Sequence, residues 1–273
     1  METATIAGYV AAGLIGVCLG MIGAGGSILT MPVLVYLFQV DPTLATAYSL
    51  FIVGATALAG AIRNAARGLV DFSVVLVFGL PSLAGTFVAR CYLVPHIPNV
   101  IYAGEGVSLT RNISIMLFFA AMMFAAGRSM LRKQHLSEVR CKPKIYTGLL
   151  GFLVGVLTGV VGAGGGFLII PSLVLFAGLP MKQAVGTSLV VIAMKSLLGF
   201  GGDIDAGIHI DYWLMLSVSA VAMVGIFLGG YLSTRVSAAR LKAGFGWFVV
   251  VMSVFILVQQ IILLFEIQEG IGE

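Results

Sequence analysis

The sequence predicts an all-α, polytopic membrane protein with two inverted repeats, each a glycine-tipped helical hairpin plus three transmembrane helices. Three observations lead to this class. Of the 273 residues, 60% are hydrophobic and only 10% are charged, whereas a soluble domain carries about 25% charged residues. The charges separate apolar runs of about 20 residues, the length of one helical span. A glycine-rich motif also occurs twice, once in each half of the chain.

This repeated motif indicates an internal duplication. Gly23-Ala-Gly-Gly-Ser27 recurs as Gly162-Ala-Gly-Gly-Gly166, and a proline (Pro32 or Pro171) follows each copy. The offset is 139 residues, from Gly23 to Gly162. Paired breaks in corresponding halves are the strongest sequence indication of a transporter's central binding site.

The alignment of the halves extends beyond the glycines. Residues 45–50 align with 184–189 at the same offset, and after one inserted residue Gly85 aligns with Gly225. Self-similarity of this length indicates one structural unit used twice. The expected division is a first repeat over 1–131, a linker over 132–143 and a second repeat over 144–273.

The apolar runs predict five helices in each half. Those of the first half are expected over 4–22, 27–38, 43–62, 72–93 and 112–131. Those of the second half are expected over 145–162, 167–177, 181–201, 211–234 and 240–265.

The first two elements of each half belong together as a hairpin. As one helix, residues 4–38 would extend about 52 Å, against a hydrocarbon core of about 30 Å. Glycine clusters break helices, and broken backbone is tolerated in hydrocarbon only where protein or a water-filled cavity surrounds it. A hairpin that turns at the glycines and leaves the membrane on the side where it entered fits this length. The other three elements of each half are expected to cross once.

The basic residues predict the orientation. The linker over 132–143 is rich in Lys and Arg, so we expect it in the cytoplasm. With hairpins at the glycines, Arg63, Arg67 and Lys182 also lie on the cytoplasmic face, and both termini are periplasmic. If each glycine segment crossed once instead, Arg63 and Arg67 would lie outside. The first helix lacks a basic n-region and a cleavage site, so it is expected to remain in the protein.

The two glycine tips are the first candidates for chemistry. Successive glycines turn backbone N–H groups toward one point, and a following helix N-terminus adds positive potential. Two tips approaching from opposite sides would form a site for an oxyanion. The candidate substrate-binding residues in the tips are Gly23, Gly25, Gly26, Ser27, Gly162, Gly164, Gly165 and Gly166. The alternative is that these glycines only allow close helix packing.

Lys195 is the second candidate, because it lies well inside the predicted helix 181–201. An intramembrane lysine indicates function by default, and its ammonium would suit an anionic substrate. The alternative is a lysine that reaches the interface or pairs with Asp203 or Asp205. The aligned residue in the first half is Thr56, so the architecture itself does not require this charge.

Four further polar residues recur near aligned helix starts. Tyr48 and Ser49 in the first half match Thr187 and Ser188 in the second. Their recurrence makes them candidates for lining a substrate pathway. The alternative is that their hydroxyls bond preceding backbone carbonyls, as Ser and Thr often do in membrane helices.

Other chemistries lack a motif in this sequence. P-loop, HExxH, GxSxG and CxxC patterns are absent from the sequence. We therefore expect that the protein is not an enzyme or a primary pump and that it binds no cofactor. The positive-inside bias accounts for the basic residues, so nucleic acid is not an expected partner. Cys18 precedes the first tip and aligns with Leu157; we expect it to be a small apolar packing residue.

The doubled motif resembles a known family signature. Gly20-Met-Ile-Gly-Ala-Gly-Gly-Ser-Ile-Leu-Thr-Met-Pro32 and Gly159-Val-Val-Gly-Ala-Gly-Gly-Gly-Phe-Leu-Ile-Ile-Pro171 are similar to the paired signature of the TauE/SafE sulfite exporter family. The Ala-x-x-x-Ser-Leu that follows in each half fits as well. The resemblance covers nearly the whole chain. It implies a multi-pass permease of the bacterial inner membrane for small sulfur anions such as sulfite, sulfoacetate or other sulfonates.

The chain departs from the family pattern in two places. The loop from Pro95 to Arg111 has only a short counterpart in the second half, and we expect a gate or tolerated surface there. The first tip ends in Ser27 where the second has glycine.

The combined expectation is a secondary transporter that exports sulfite or a related sulfonate by alternating access. Its partners would be a small anionic substrate, the lipid bilayer and a coupling proton or ion. One alternative is an importer in which Cys18 relays a thiosulfate-like species. Another is a membrane scaffold that transports nothing.

Overall fold

A computed structural model describes most of the chain. The described residues are 2–23, 29–30, 33–40, 42–93, 96, 100–104, 107–132, 144–161, 166–205 and 211–271. Gly25, Gly26 and Ser27 of the first tip and Gly162, Gly164 and Gly165 of the second lie outside them.

Helices dominate the described part of both halves. Those of the first half are α1 (Glu2–Ile22), the π-helical α2 (Val33–Leu37), α3 (Pro42–Ala66), α4 (72–93) and α5 (Arg111–Leu131). Those of the second half are α6 (Lys144–Val161), α7 (Gly166–Leu175), α8 (Met181–Asp205), α9 (Tyr212–Arg235) and α10 (Ala238–Ile271). Helix α4 is α-helical over Phe72–Val74 and Leu80–Val88 and π-helical over Val75–Gly79 and Ala89–Leu93.

The predicted polytopic all-α class is confirmed. Within the described part, five helical segments are long and apolar enough to cross a membrane, namely Thr5–Ile22, Ala47–Ala66, Met181–Gly201, Tyr212–Arg235 and Ala239–Ile262.

One feature of the fold is not helical. In the loop expected between Pro95 and Arg111, strand β1 (Val100–Gly104) pairs antiparallel with β2 (Val107–Thr110). The ribbon lies beside α5 and α10. The sequence predicted only a loop in this segment.

Residues on either side of the first glycine segment lie close together. The rings of Tyr9, early in α1, and Phe38, beyond the tip, meet edge to face with centroids 5.3 Å apart. A hairpin would bring these residues together, but its tip residues 24–28 lie outside the described part. Arg67 and Lys182 also lie at one end of the bundle, where both line the same cavity.

Close backbone contact joins α1 to α9 and α4 to α6. A Cβ added at Gly16 of α1 would overlap the carbonyl oxygen of Ala222, and one at Gly155 of α6 would overlap that of Ser82. Gly16 aligns with Gly155 and Ala222 with Ser82. The two crossings are therefore the same contact made twice. Small residues permit such approach in membrane bundles.

The aligned helices α3 and α8 pack against each other and run antiparallel. Leu50, early in α3, lies against Gly199, late in α8, whereas Gly60, late in α3, lies against Leu189, early in α8. Two copies of one unit that face opposite ways would make this contact. The pair forms the centre of the bundle. Helix α8 is the more buried of the two, because 67% of its apolar span Met181–Gly201 lies inside the protein, against 44% of Ala47–Ala66 in α3.

Candidate functional site

The first tip begins at a position that only glycine suits. Gly23 follows α1 with φ of +86°, a left-handed conformation that costs other residues about 1–2 kcal/mol. Its N–H donates to the Leu19 carbonyl oxygen at 2.7 Å, which closes the last turn of α1. A Cβ at this position would lie 3.0 Å from both the Ser188 Oγ and a Val185 methyl carbon. The start of the first tip is therefore packed against α8 of the other half.

Two predicted site residues meet at this contact. Ser188 is completely buried, and its Oγ donates to the Val185 carbonyl oxygen at 2.8 Å. The proton of this hydroxyl is thus used inside α8, while its oxygen faces Gly23. Ser188 therefore has the alternative role predicted for such hydroxyls, a hydrogen bond to a preceding backbone carbonyl.

Lys195 lies on the same face of α8, two helical turns beyond Ser188. Seven residues correspond to about 10 Å along a helix axis. The lysine is 7% exposed, and its ammonium donates to the Thr158 Oγ1 at 2.7 Å and the Ser82 Oγ at 3.4 Å. Both of these partners are hydroxyls inside the bundle; the side chains of Asp203 and Asp205 lie outside the described part.

The hydroxyl partners place Lys195 near the second tip. Thr158 is on α6 one turn before Gly162, and Ser82 is on α4 where that helix crosses α6. Thr158 donates its own proton to the Gly155 carbonyl oxygen at 3.1 Å, so its oxygen is oriented to accept from the ammonium. One face of α8 therefore contacts the first tip at Ser188 and the helix leading to the second tip at Lys195.

Two buried hydroxyls close to this region have no hydrogen-bond partner among the described residues. They are Thr56 Oγ1 on α3 and Ser196 Oγ on α8, and both residues are at most 1% exposed. Several other buried Ser and Thr of the bundle bond a carbonyl three or four residues back, as Ser188 and Ser219 do. An unsatisfied buried hydroxyl costs about 1–3 kcal/mol, and such groups occur where a ligand or water supplies the missing bond.

Tyr48 and Thr187 perform a different task. The Thr187 Oγ1 accepts a hydrogen bond from the Asp71 amide at 3.1 Å, and the Tyr48 hydroxyl accepts one from the Asp211 amide at 2.6 Å. Asp71 and Asp211 are the N-caps of α4 and α9. These aligned hydroxyls therefore join α3 and α8 to the start of a helix in the opposite half. Their predicted contact with substrate stays a prediction.

The remaining predicted residues are less informative. Ser49 is half-buried on α3, and Gly166 is buried at the start of α7. Gly166 therefore places a helix N-terminus directly after the second tip.

Sequence reasoning missed Ser82 and Thr158. The signal was present in the alignment of the halves, because Ser82 replaces Ala222 and Thr158 replaces Leu19. Together with Lys195 in place of Thr56, three positions of the second-tip region are more polar than their counterparts. These departures from the repeat converge on one ammonium group.

The comparison with protein families agrees with this architecture. A model of the sulfite exporter TauE/SafE family matches residues 9–256. The chain belongs to this family. The match includes both glycine motifs and every helix that contributes to the Lys195 site.

Named relatives of this TauE/SafE protein are membrane transporters by description. A probable membrane transporter protein of Xylella fastidiosa (strain 9a5c) is 29% identical over 258 residues, covering 90% of this chain and 92% of the relative. The probable membrane transporter protein YunE of Bacillus subtilis (strain 168) is 28% identical over 241 residues, covering 80% and 82%. No solved structure matches the chain. The TauE/SafE protein is thus a multi-pass membrane transporter.

Proposed function

We propose that this TauE/SafE protein is a secondary transporter for a small sulfur-containing anion such as sulfite or an organosulfonate. It acts in the bacterial inner membrane, exports its substrate by alternating access and uses a proton or ion gradient. The family description supports sulfite as the first substrate to test. The following contacts support an anion in general.

The observation that carries the proposal is the placement of Lys195. Its buried ammonium is held by Thr158 and Ser82 between helices of both halves, on the face of α8 that also contacts Gly23. A buried cation is costly unless hydrogen bonds and a negative charge offset the desolvation. An anion bound between the tips would add its charge to the hydrogen bonds that hold this ammonium. The tip amides and the unsatisfied hydroxyls of Thr56 and Ser196 would add neutral donors.

The packing of the halves supports alternating access. The antiparallel α3–α8 pair and the duplicated glycine crossings are what two inverted repeats would form around a pseudo-two-fold axis. Substrate sites of such transporters lie at the repeat interface near the bilayer midplane, and one repeat rocks against the other. The α8 face between Ser188 and Lys195 contacts helices of both halves, which supports a substrate site at that interface.

Transport by purified protein in liposomes tests the proposal. Radiolabelled sulfite, methanesulfonate and sulfate are loaded inside, and efflux is followed with and without an imposed proton gradient. Sulfite or sulfonate efflux above that of empty liposomes, accelerated by the gradient, is the expected result. A parallel thermal melt in detergent should show a rise with the transported anion, because a ligand of the folded state stabilises it. Protein that passes none of the three anions and melts unchanged would instead support the scaffold alternative.

A further inference from the structure

A cavity that is mainly apolar but includes charged residues opens at one end of the bundle, apart from the Lys195 site. It has a volume of about 330 Å³ and lies where α3 ends, α8 begins, α9 ends and α10 begins. This is well above the roughly 30 Å³ that one water occupies in the liquid, so a hydrated oxyanion fits inside.

Two cations line the cavity. They are Arg67, directly after α3, and Lys182, in the first turn of α8. No carboxylate is among the described residues that line it. Arg63, one helical turn before Arg67, is used elsewhere, because its guanidinium donates to the Phe227 carbonyl oxygen and lies over the Phe227 ring. The cavity therefore carries positive charge with no described anion to neutralise it.

The neutral polar groups of the cavity leave anion binding to these cations. Ser233 and Thr234 both line it, but their hydroxyls donate to the carbonyl oxygens of Gly230 and Tyr231 at 3.0 and 2.7 Å. Asn64 uses one amide hydrogen on the Gly60 carbonyl oxygen at 2.8 Å and retains a second. Arg67 and Lys182 are thus the principal donors available to an anion.

The inner end of the cavity reaches the first tip. Met21 and Val185 line it; Met21 is two residues before Gly23, and Val185 is the side chain against which Gly23 packs. An anion in the cavity would therefore be separated from the first tip by only this layer.

The opposite end of the bundle lacks these cations in the sequence. At the constant offset, Asn64, Arg67 and Lys182 correspond to Asp203, Ala206 and Thr43. The two repeats have thus diverged in sequence, and the basic residues of this cavity have no basic counterparts at the aligned positions. Clefts lined by one sign of charge concentrate ions of the other sign and accelerate their capture.

We propose that this cavity is the loading site at which the transported oxyanion or sulfonate is captured from the cytoplasm before it reaches the glycine tips. The inference rests on the proposed function and adds a second, outer anion site with Arg67 and Lys182 as its specificity residues. Because the aligned positions Ala206 and Thr43 carry no positive charge, we expect stronger capture at this end than at the other.

The experiment compares Arg67→Gln, Lys182→Gln and the double variant with the wild type in membrane vesicles of both orientations. Inside-out vesicles present the cytoplasmic face to labelled sulfite, and right-side-out vesicles present the other face. Arg240→Gln is the matched control, because Arg240 is an exposed cation at the same end that does not line the cavity.

We expect each cavity variant to raise KM at the cytoplasmic face by about threefold to tenfold, with the difference shrinking at high salt. The double variant should raise it further, while kcat changes less than KM and the opposite face is unaffected. Equal KM in all variants, equal effects at both faces, or an equal effect of Arg240→Gln would overturn the loading site. Wild-type vesicles that transport none of the tested anions would instead reject the proposed function.

Discussion

The Thr187 hydroxyl of α8 accepts a hydrogen bond from the amide of Asp71, the N-cap of α4, at 3.1 Å. The Asp71 carboxylate in turn accepts from the Val74 amide at 3.1 Å. Thr187 is completely buried, so water cannot replace it as the acceptor. This bond connects the central helix of the second half to the first half of the chain.

Thr187→Val should therefore destabilise the fold without changing substrate affinity. The substitution keeps the side-chain shape but leaves the Asp71 amide without an acceptor, which costs about 1–3 kcal/mol. Chemical denaturation in detergent measures the loss. Thr234→Val is the control, because the exposed Thr234 hydroxyl bonds only the Tyr231 carbonyl oxygen of its own helix. If Thr187→Val raised KM several-fold with unchanged stability, Thr187 would be a substrate residue, as the sequence suggested.

The glycine crossings should be sensitive to one added methyl group. In Gly155→Ala the new Cβ would overlap the Ser82 carbonyl oxygen, and separating packed backbones costs about 1–3 kcal/mol or more. We expect a lower melting temperature and weaker transport, since Ser82 also holds Lys195. Gly244→Ala is the control, because nothing lies within 4 Å of its added Cβ. Alanine there should be neutral or stabilising by up to about 1 kcal/mol. Equal melting temperatures for the two variants would mean that the α4–α6 crossing is not tight.

Much of this fold was predictable because the lengths of the apolar runs and the similarity of the two halves can be read directly from the sequence. The apolar run 211–234 predicted α9 to within a residue or two of Tyr212–Arg235. The π-helical turn Val75–Gly79 inside α4 was not predicted. It ends two residues before Pro81 and contains Val77, the residue whose carbonyl the proline ring would clash with in an α-helix. A wider turn relieves that clash, but hydrophobic periodicity does not report it.

The site was predictable only in part, because a contact depends on how helices cross. Lys195 stood out as a charge inside an apolar run, whereas Ser82 and Thr158 looked like ordinary membrane hydroxyls until α4, α6 and α8 met around the ammonium. The β-ribbon was missed for another reason. Only its short second strand, Val107–Thr110, alternates apolar and polar residues after Gly104-Glu-Gly106, a hairpin signal that is short next to the helices around it.

Gly23→Ala should impair the protein more than alanine at another left-handed glycine. Gly68 is the matched control, since its φ is +68° and an added Cβ meets nothing within 4 Å. Both variants incur the backbone cost of about 1–2 kcal/mol. Only Gly23→Ala also crowds Ser188 and Val185, at 3.0 Å each. We expect a larger fall in melting temperature and a loss of transport for Gly23→Ala alone. Equal effects would show that the tip does not depend on its contact with α8.

Cys18→Ala should leave transport intact. Cys18 is half-buried in α1 among apolar neighbours, and a small apolar residue fills the same space. Initial efflux rates of sulfite and thiosulfate from liposomes measure the effect. Leu157→Ala, at the aligned position of α6, controls for packing loss. Abolished transport in Cys18→Ala with an active Leu157→Ala variant would establish the thiol-relay alternative.

Lys195→Met should weaken anion binding by about ten- to a hundredfold, because a charged hydrogen bond to a buried ligand contributes about 1.5–3 kcal/mol. The fold should tolerate the change. Thr158 keeps its bond to the Gly155 carbonyl oxygen, and removing the ammonium also removes the cost of burying its charge. The anion-induced rise in melting temperature therefore falls, while the melting temperature without anion does not.

Two variants decide what the Lys195 result means. Lys195→Arg retains the charge and should retain part of the anion response, whereas Lys242→Met removes a cation from the start of α10 and should retain all of it. If Lys195→Met lowered the melting temperature without anion yet kept the full anion response, the ammonium would be a structural link among Ser82, Thr158 and α8. The anion would then bind elsewhere between the tips. If Lys195→Met alone loses the anion response, anion binding depends on the positive charge of Lys195. Hydroxyls of α4 and α6 hold this ammonium beside the helix that enters the second tip.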